Sequence, residues 1–141
     1  MLLRDVMTRD VEDVGPEASL KEAAEKMRTL DVGALPVCEA GRLVGVITDR
    51  DLAVRHIATQ HKDDCAVSSH MSKDNIQAVE ESDDVATVIA AMERREVRRV
   101  PVTDKSGRLL GIIAQADIAT CDDIPKAQVA EVVRMVSEPD R

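Results

Sequence analysis

Gly41-Arg42-Leu43-Val44-Gly45-Val46-Ile47 and Gly107-Arg108-Leu109-Leu110-Gly111-Ile112-Ile113 are one pattern written twice, 66 positions apart. Working outward, Leu20, Met27 and Leu35-Pro36-Val37 recur 65 positions later as Val85, Met92 and Val100-Pro101-Val102. Upstream, Val6-Met7-Thr8 matches His70-Met71-Ser72. Self-similarity of this kind marks a duplicated structural unit. The division it predicts is a first repeat over 5–58, a polar linker over 59–69, a second repeat over 70–120, and a C-terminal helix and tail over 121–141.

Each copy reads in the same order. A short extended segment (Val11–Val14; Ile76–Val79) leads to a helix whose apolar stripe is Leu20, Ala23, Ala24, Met27 and Leu30, or Val85, Val88, Ile89 and Met92. Ser19 and Glu22 form an S-x-x-E capping box, and Asp84 is the second cap. Two strands follow, Leu35–Glu39 and Leu43–Thr48, then Val100–Thr103 and Leu109–Ala114, turning at Ala40-Gly41 and Ser106-Gly107. Pro36 and Pro101 lack an N–H, which places them at a strand start or on an edge. A short helix closes each copy, Arg50–Ala58 and Ala116–Thr120. The fold class expected is mixed α/β, two β-α-β-β-α repeats packed sheet to sheet around a shared core, plus a C-terminal helix. Small ligands favour the clefts between such copies.

Composition narrows the function. The chain has 141 residues, 44% of them hydrophobic, and no Phe, Trp or Tyr, so the core is aliphatic and no ring can stack on a base. A net charge of -8 disfavours nucleic acid and membrane surfaces. No apolar run is long enough to span a bilayer, and Met1-Leu2-Leu3-Arg4-Asp5 does not read as a secretion signal, so a cytoplasmic protein is expected. Cys38, Cys65 and Cys121 form no disulfide pattern.

The chemistry-bearing stretch is Gly45-Val46-Ile47-Thr48-Asp49-Arg50-Asp51. Thr48 stands where strand gives way to helix, where its hydroxyl and free N–H groups can hold a phosphate. Asp51 is placed to accept from ribose hydroxyls. T-x-x-D is equally a near capping box, with Thr48 as cap and Asp51 supporting it. The second copy has Ala114 in place of Thr48 and keeps Asp117, so a helix can start there without the hydroxyl.

The whole arrangement, from Asp5 to Thr120, resembles a pair of CBS (cystathionine-β-synthase) domains, a Bateman module. The resemblance rests on the x-P-V strand, the glycine turn and G-x-x-T-x-x-D recurring in register. It implies that Thr48 contacts phosphate and Asp51 ribose, with Asp49 alongside. It also implies that Arg98 and Arg99, in a cluster with Arg94 and Arg95, reach the phosphate from the other copy. Adenine would lie near Val11, Val14, Ala34 and Pro36. A second, weaker site would use Asp117, Val100 and Pro101, with Ala114 for the threonine and Val32-Gly33 for the two arginines. The resemblance further implies a homodimer.

His56, His61, Cys65 and His70 gather near the linker. His61, Cys65 and His70 could ligate zinc, although their spacing matches no common finger. No Ser-His-Asp, Cys-His, P-loop or GxGxxG set is present, and no enzymatic activity is expected. The function expected is a regulatory module that binds AMP, ADP, ATP or S-adenosylmethionine between its repeats, needs no obligatory cofactor, and signals to a partner in trans. The alternatives are a redox- or metal-responsive protein using Cys38, Cys65 and the linker histidines, or a structural dimerisation module with a vestigial pocket.

Overall fold

The computed structural model describes residues 2–9, 11–57, 65–73, 78–95, 98–121, 124–127, 129–130 and 134. The fold is mixed α/β and divides into two compact units. One spans Glu12–Ile76; the other joins Met1–Val11 to Gln77–Arg141.

In the unit Glu12–Ile76, helix α1 runs Leu20–Leu30. Ser19 starts it by accepting from the Glu22 N–H at 3.1 Å, and Asp31 ends it in the left-handed conformation (φ 55°). Strands β1 (Ala34–Glu39) and β2 (Arg42–Thr48) pair antiparallel. They turn through Ala40 and Gly41, both at positive φ. A π-helix, Asp51–Ile57, follows β2. The core is Val14, Leu20, Ala23, Met27, Leu35, Val37, Ile47 and Val67.

The other unit repeats the scheme. Strand β3 (Val79–Glu80) lies parallel to β4 (Arg99–Thr103), and β4 pairs antiparallel with β5 (Leu109–Ala114). Helix α2 is Val85–Arg95, and α3 is Gln115–Ala119. Hydrogen bonds from Thr87 hold the Asp84 carboxyl below its ordinary value at the start of α2. Leu3, Met7, Val88, Ile89, Met92, Val100, Val102, Ile113 and Ile118 form the centre of its core.

Each unit is completed by the segment that precedes the other repeat in sequence. Thr8 exchanges both backbone hydrogen bonds with Ile112 (2.9 and 3.0 Å), and Leu2 bridges to Asp84. Ser72 does the same with Val46 (2.9 and 3.1 Å), and Ala66 bridges to Ser19. Leu3 and Val67 are fully buried in these borrowed positions. The compact unit is therefore not the contiguous sequence repeat: Ala66–Ser72 packs with Glu12–Ile57, while residue 58 and linker residues 59–64 lie outside the described residues.

The proline expectation needs correction. Pro36 is neither at a strand start nor on an edge, because β1 has β2 on one side and the Val14 bridge on the other. Pro36 pairs with Val46, whose own N–H and C=O serve Ser72, so this is a pair without mutual hydrogen bonds. The missing N–H faces away from β2, just ahead of the point where Val14 donates to the Pro36 carbonyl (3.1 Å). Pro101 repeats this against Ile112.

Of the expected C-terminal helix, Val129 packs against the core and Arg134 pairs with Glu93 at 3.1 Å. Val132, Val133 and Val136 lie outside the described residues, as does Ile76.

Candidate functional site

Thr48 and Asp51 form a reciprocal capping box. The Asp51 N–H donates to Thr48 Oγ1 at 3.0 Å, and the Thr48 N–H donates to Asp51 Oδ2 at 2.9 Å. The register Ala34↔Thr48 sets this turn against the start of β1, where the Asp49 N–H donates to the Gly33 carbonyl at 2.8 Å. Asp51 is buried and Asp49 exposed. The N–H groups of Thr48, Asp49 and Asp51 are thus engaged inside the protein. What the corner presents is the Thr48 hydroxyl, which can still donate its proton, and two carboxylates.

Val14 and Pro36 meet in the same unit through their backbones. Val11 closes the other unit, donating to the Arg9 carbonyl at 2.9 Å.

The equivalent corner of the other unit is built from Ala114, Gln115, Asp117, Arg98 and Arg99. The Ala114 N–H donates to Asp117 Oδ2 at 2.8 Å, so half of the capping box survives without the hydroxyl. The Gln115 N–H donates to the Arg98 carbonyl at 3.0 Å, and Arg99 pairs with Ala114. The two arginines therefore flank their own unit's helix start, with exposed side chains. Val100 and Pro101 follow them and are buried. This register also corrects the correspondence read from sequence. Gly33 and Ala34, not Val32 and Gly33, stand at the positions of Arg98 and Arg99, because β1 begins at Ala34 where β4 begins at Arg99. The sequence pattern names Gly33 but pairs it with Arg99 in place of Arg98, and leaves Gln115 without a role. The 65- and 66-residue offsets, applied strictly, match Gly33 to Arg98 and Asp49 to Gln115.

Cys38 is buried beside Asp13. Burial first, then a hydrogen bond to Asp13 and the charge of that carboxylate, push its thiol up to about 12. Cys65 is half-buried and His70 buried, while His61 lies outside the described residues, as do the side chains of His56 and Arg95. Among the described residues no three His, Cys, Asp or Glu side chains gather as a metal would need, and no helix is long and apolar enough to cross a membrane.

The CBS domain family matches residues 3–55 and again 67–122. Hypoxic response protein 1 of Mycobacterium tuberculosis is 35% identical over 137 residues, covering 96% of this chain and 94% of its own length. A crystal structure of Hypoxic Response Protein I with two coordinated zinc ions superposes with a TM-score of 0.76 and 38% identity over 84% of this chain and 97% of that one. The CBS domain pair of protein MJ0100, in complex with 5'-methylthioadenosine and S-adenosyl-L-methionine, superposes with a TM-score of 0.73 and 27% identity, covering 84% and 93% of the two chains.

Proposed function

The chain belongs to the CBS domain family as a tandem pair, a regulatory module, and on that premise we propose that it senses an adenosine-containing ligand and does not catalyse a reaction. The observation that carries the reading is the Thr48–Asp51 pair. A helix starts at Ala114 without a hydroxyl, so the Thr48 hydroxyl is not required by the architecture, and it stands beside a buried carboxylate suited to ribose hydroxyls. The adenosine ligands of the MJ0100 pair support this class of ligand. AMP, ADP, ATP and S-adenosylmethionine are the candidates, with a homodimer acting on a partner in trans.

The test is a thermal melt of the full chain with adenosine, AMP, ADP, ATP, S-adenosylmethionine and GMP. A ligand at about 100 times its Kd adds roughly 2.7 kcal/mol, a rise of about 5 to 10 °C at this size. Loss of the rise in Asp51→Ala places the ligand at this corner. Loss in Arg98→Ala or Arg99→Ala, with AMP but not with adenosine, identifies those residues as phosphate partners. No rise with any adenosine compound overturns the reading and leaves a structural module.

The zinc ions of the Hypoxic Response Protein I structure support a second reading, metal response through Cys65, His70 and His61. Cys65 and His70 sit in one unit, but the described residues supply no full ligand set. Stabilisation by zinc that disappears in Cys65→Ser and persists in Thr48→Ala would favour it.

A further inference from the structure

The two strand–helix corners are chemically opposite although the chain builds them alike. The Asp49 carboxylate lies over Gly33: a Cβ there would meet its Oδ2 at 3.0 Å, Cγ at 3.4 Å and Oδ1 at 3.5 Å. The equivalent pair is Arg98 with Gln115, a cation and a neutral amide. Gly33, Ala34 and Thr48 to Asp51 carry a net charge of -1, with Arg50 opposing Asp49 and Asp51. Arg98, Arg99 and Ala114 to Asp117 carry +1. An anion usually gains at a helix start from unused N–H groups. At the Thr48 corner those of Thr48, Asp49 and Asp51 are committed to Asp51, Gly33 and Thr48.

We propose that Asp49 is a specificity residue that sets the charge class of the ligand at the Thr48 corner, admitting a ribose-bearing ligand of little negative charge and disfavouring a nucleoside polyphosphate. This rests on the reading of that corner as an adenosine site. Ribose hydroxyls are served by the Asp51 carboxylate and by the Thr48 hydroxyl, which together recognise a diol without needing a cation or Asp49. A triphosphate brings several negative charges toward a corner already negative and short of backbone donors. Asp49 is exposed and its backbone N–H, not its side chain, bonds Gly33, so its replacement leaves the turn intact.

The experiment is calorimetric titration of adenosine, AMP and ATP into the 141-residue chain, wild type against Asp49→Asn, Asp49→Gln and Asp49→Glu. Asp49→Gln copies the residue of the other corner. In both neutral variants ATP affinity is expected to rise about tenfold, AMP about threefold and adenosine less than twofold, the gain shrinking in high salt. Asp49→Glu, which keeps the charge, should hold the wild-type ratios. An unchanged ratio of ATP to adenosine affinity in the neutral variants, with adenosine still bound, overturns the role of Asp49 alone. Failure of all three compounds to bind the wild type overturns the adenosine reading and this proposal with it.

Discussion

Met71 occupies the place that a side chain on Gly45 would need: a Cβ there would stand 2.6 Å from the Met71 Sδ and 2.9 Å from the Ser72 carbonyl oxygen. Gly111 has the same relation to the chain's first segment, at 2.5 Å from the Thr8 carbonyl oxygen and 3.0 Å from the Met7 Sδ. Each glycine is the seat of a borrowed segment. Gly45→Ala and Gly111→Ala should each cost about 1 to 3 kcal/mol by overpacking, Gly111→Ala the more because backbone blocks it more closely. Gly15→Ala, with nothing within 4 Å, is the control and should be neutral or stabilising by about 0.5 kcal/mol. Chemical denaturation measures all three.

The half-kept capping box can be completed. Ala114→Thr adds the hydroxyl that Asp117 lacks, on a residue whose φ of -107° and ψ of 159° already suit a cap. It should raise stability by about 1 kcal/mol, and Thr48→Ala should lower it by a similar amount in the absence of ligand. A ligand-free melt separates this cost from any loss of binding.

Cys38 should be inert in the folded protein. A thiol pushed up to about 12 stays protonated in the native state at pH 8 to 9, so a disulfide reagent should label it only after unfolding. The linkage has a definite sign. Above pH 9 the unfolded chain releases this proton and the folded chain holds it, so stability falls as pH rises from about 9 toward about 12. Cys38→Ala should flatten that alkaline limb.

Ala40 holds φ at 51°, followed by Gly41 at 81°, a pair that suits Asn-Gly far better than Ala-Gly. Ala40→Asn should stabilise the β1–β2 hairpin by about 1 kcal/mol, read as a higher denaturation midpoint.

Much of this architecture was legible because apolar spacing and glycine turns act locally. Leu20 to Met27, the Ala40-Gly41 turn and the caps Ser19 and Asp84 were read where they stand. What was not legible is which partner a segment chooses. Met7 and Met71 are the same residue in similar surroundings, and so are Gly45 and Gly111, so nothing local says that Met7 docks on Gly111. Pro36 misled because the rule against proline in an inner strand assumes that its N–H has a partner to lose. At the candidate site, residue types revealed Thr48 and Asp51. That the donors of this turn are already spent follows from geometry that a motif does not carry.

The exchange of leading segments also orders events during synthesis. Met71 and Ser72 emerge from the ribosome soon after Gly45 and Val46, so the unit Glu12–Ile76 can close while the rest is still being made. Leu3, Met7 and Thr8, made about a hundred residues earlier, must wait until Ile112 has been translated, with two apolar side chains held open to solvent and to chaperones meanwhile. A segment translated ahead of both repeats is thus among the last to find its place.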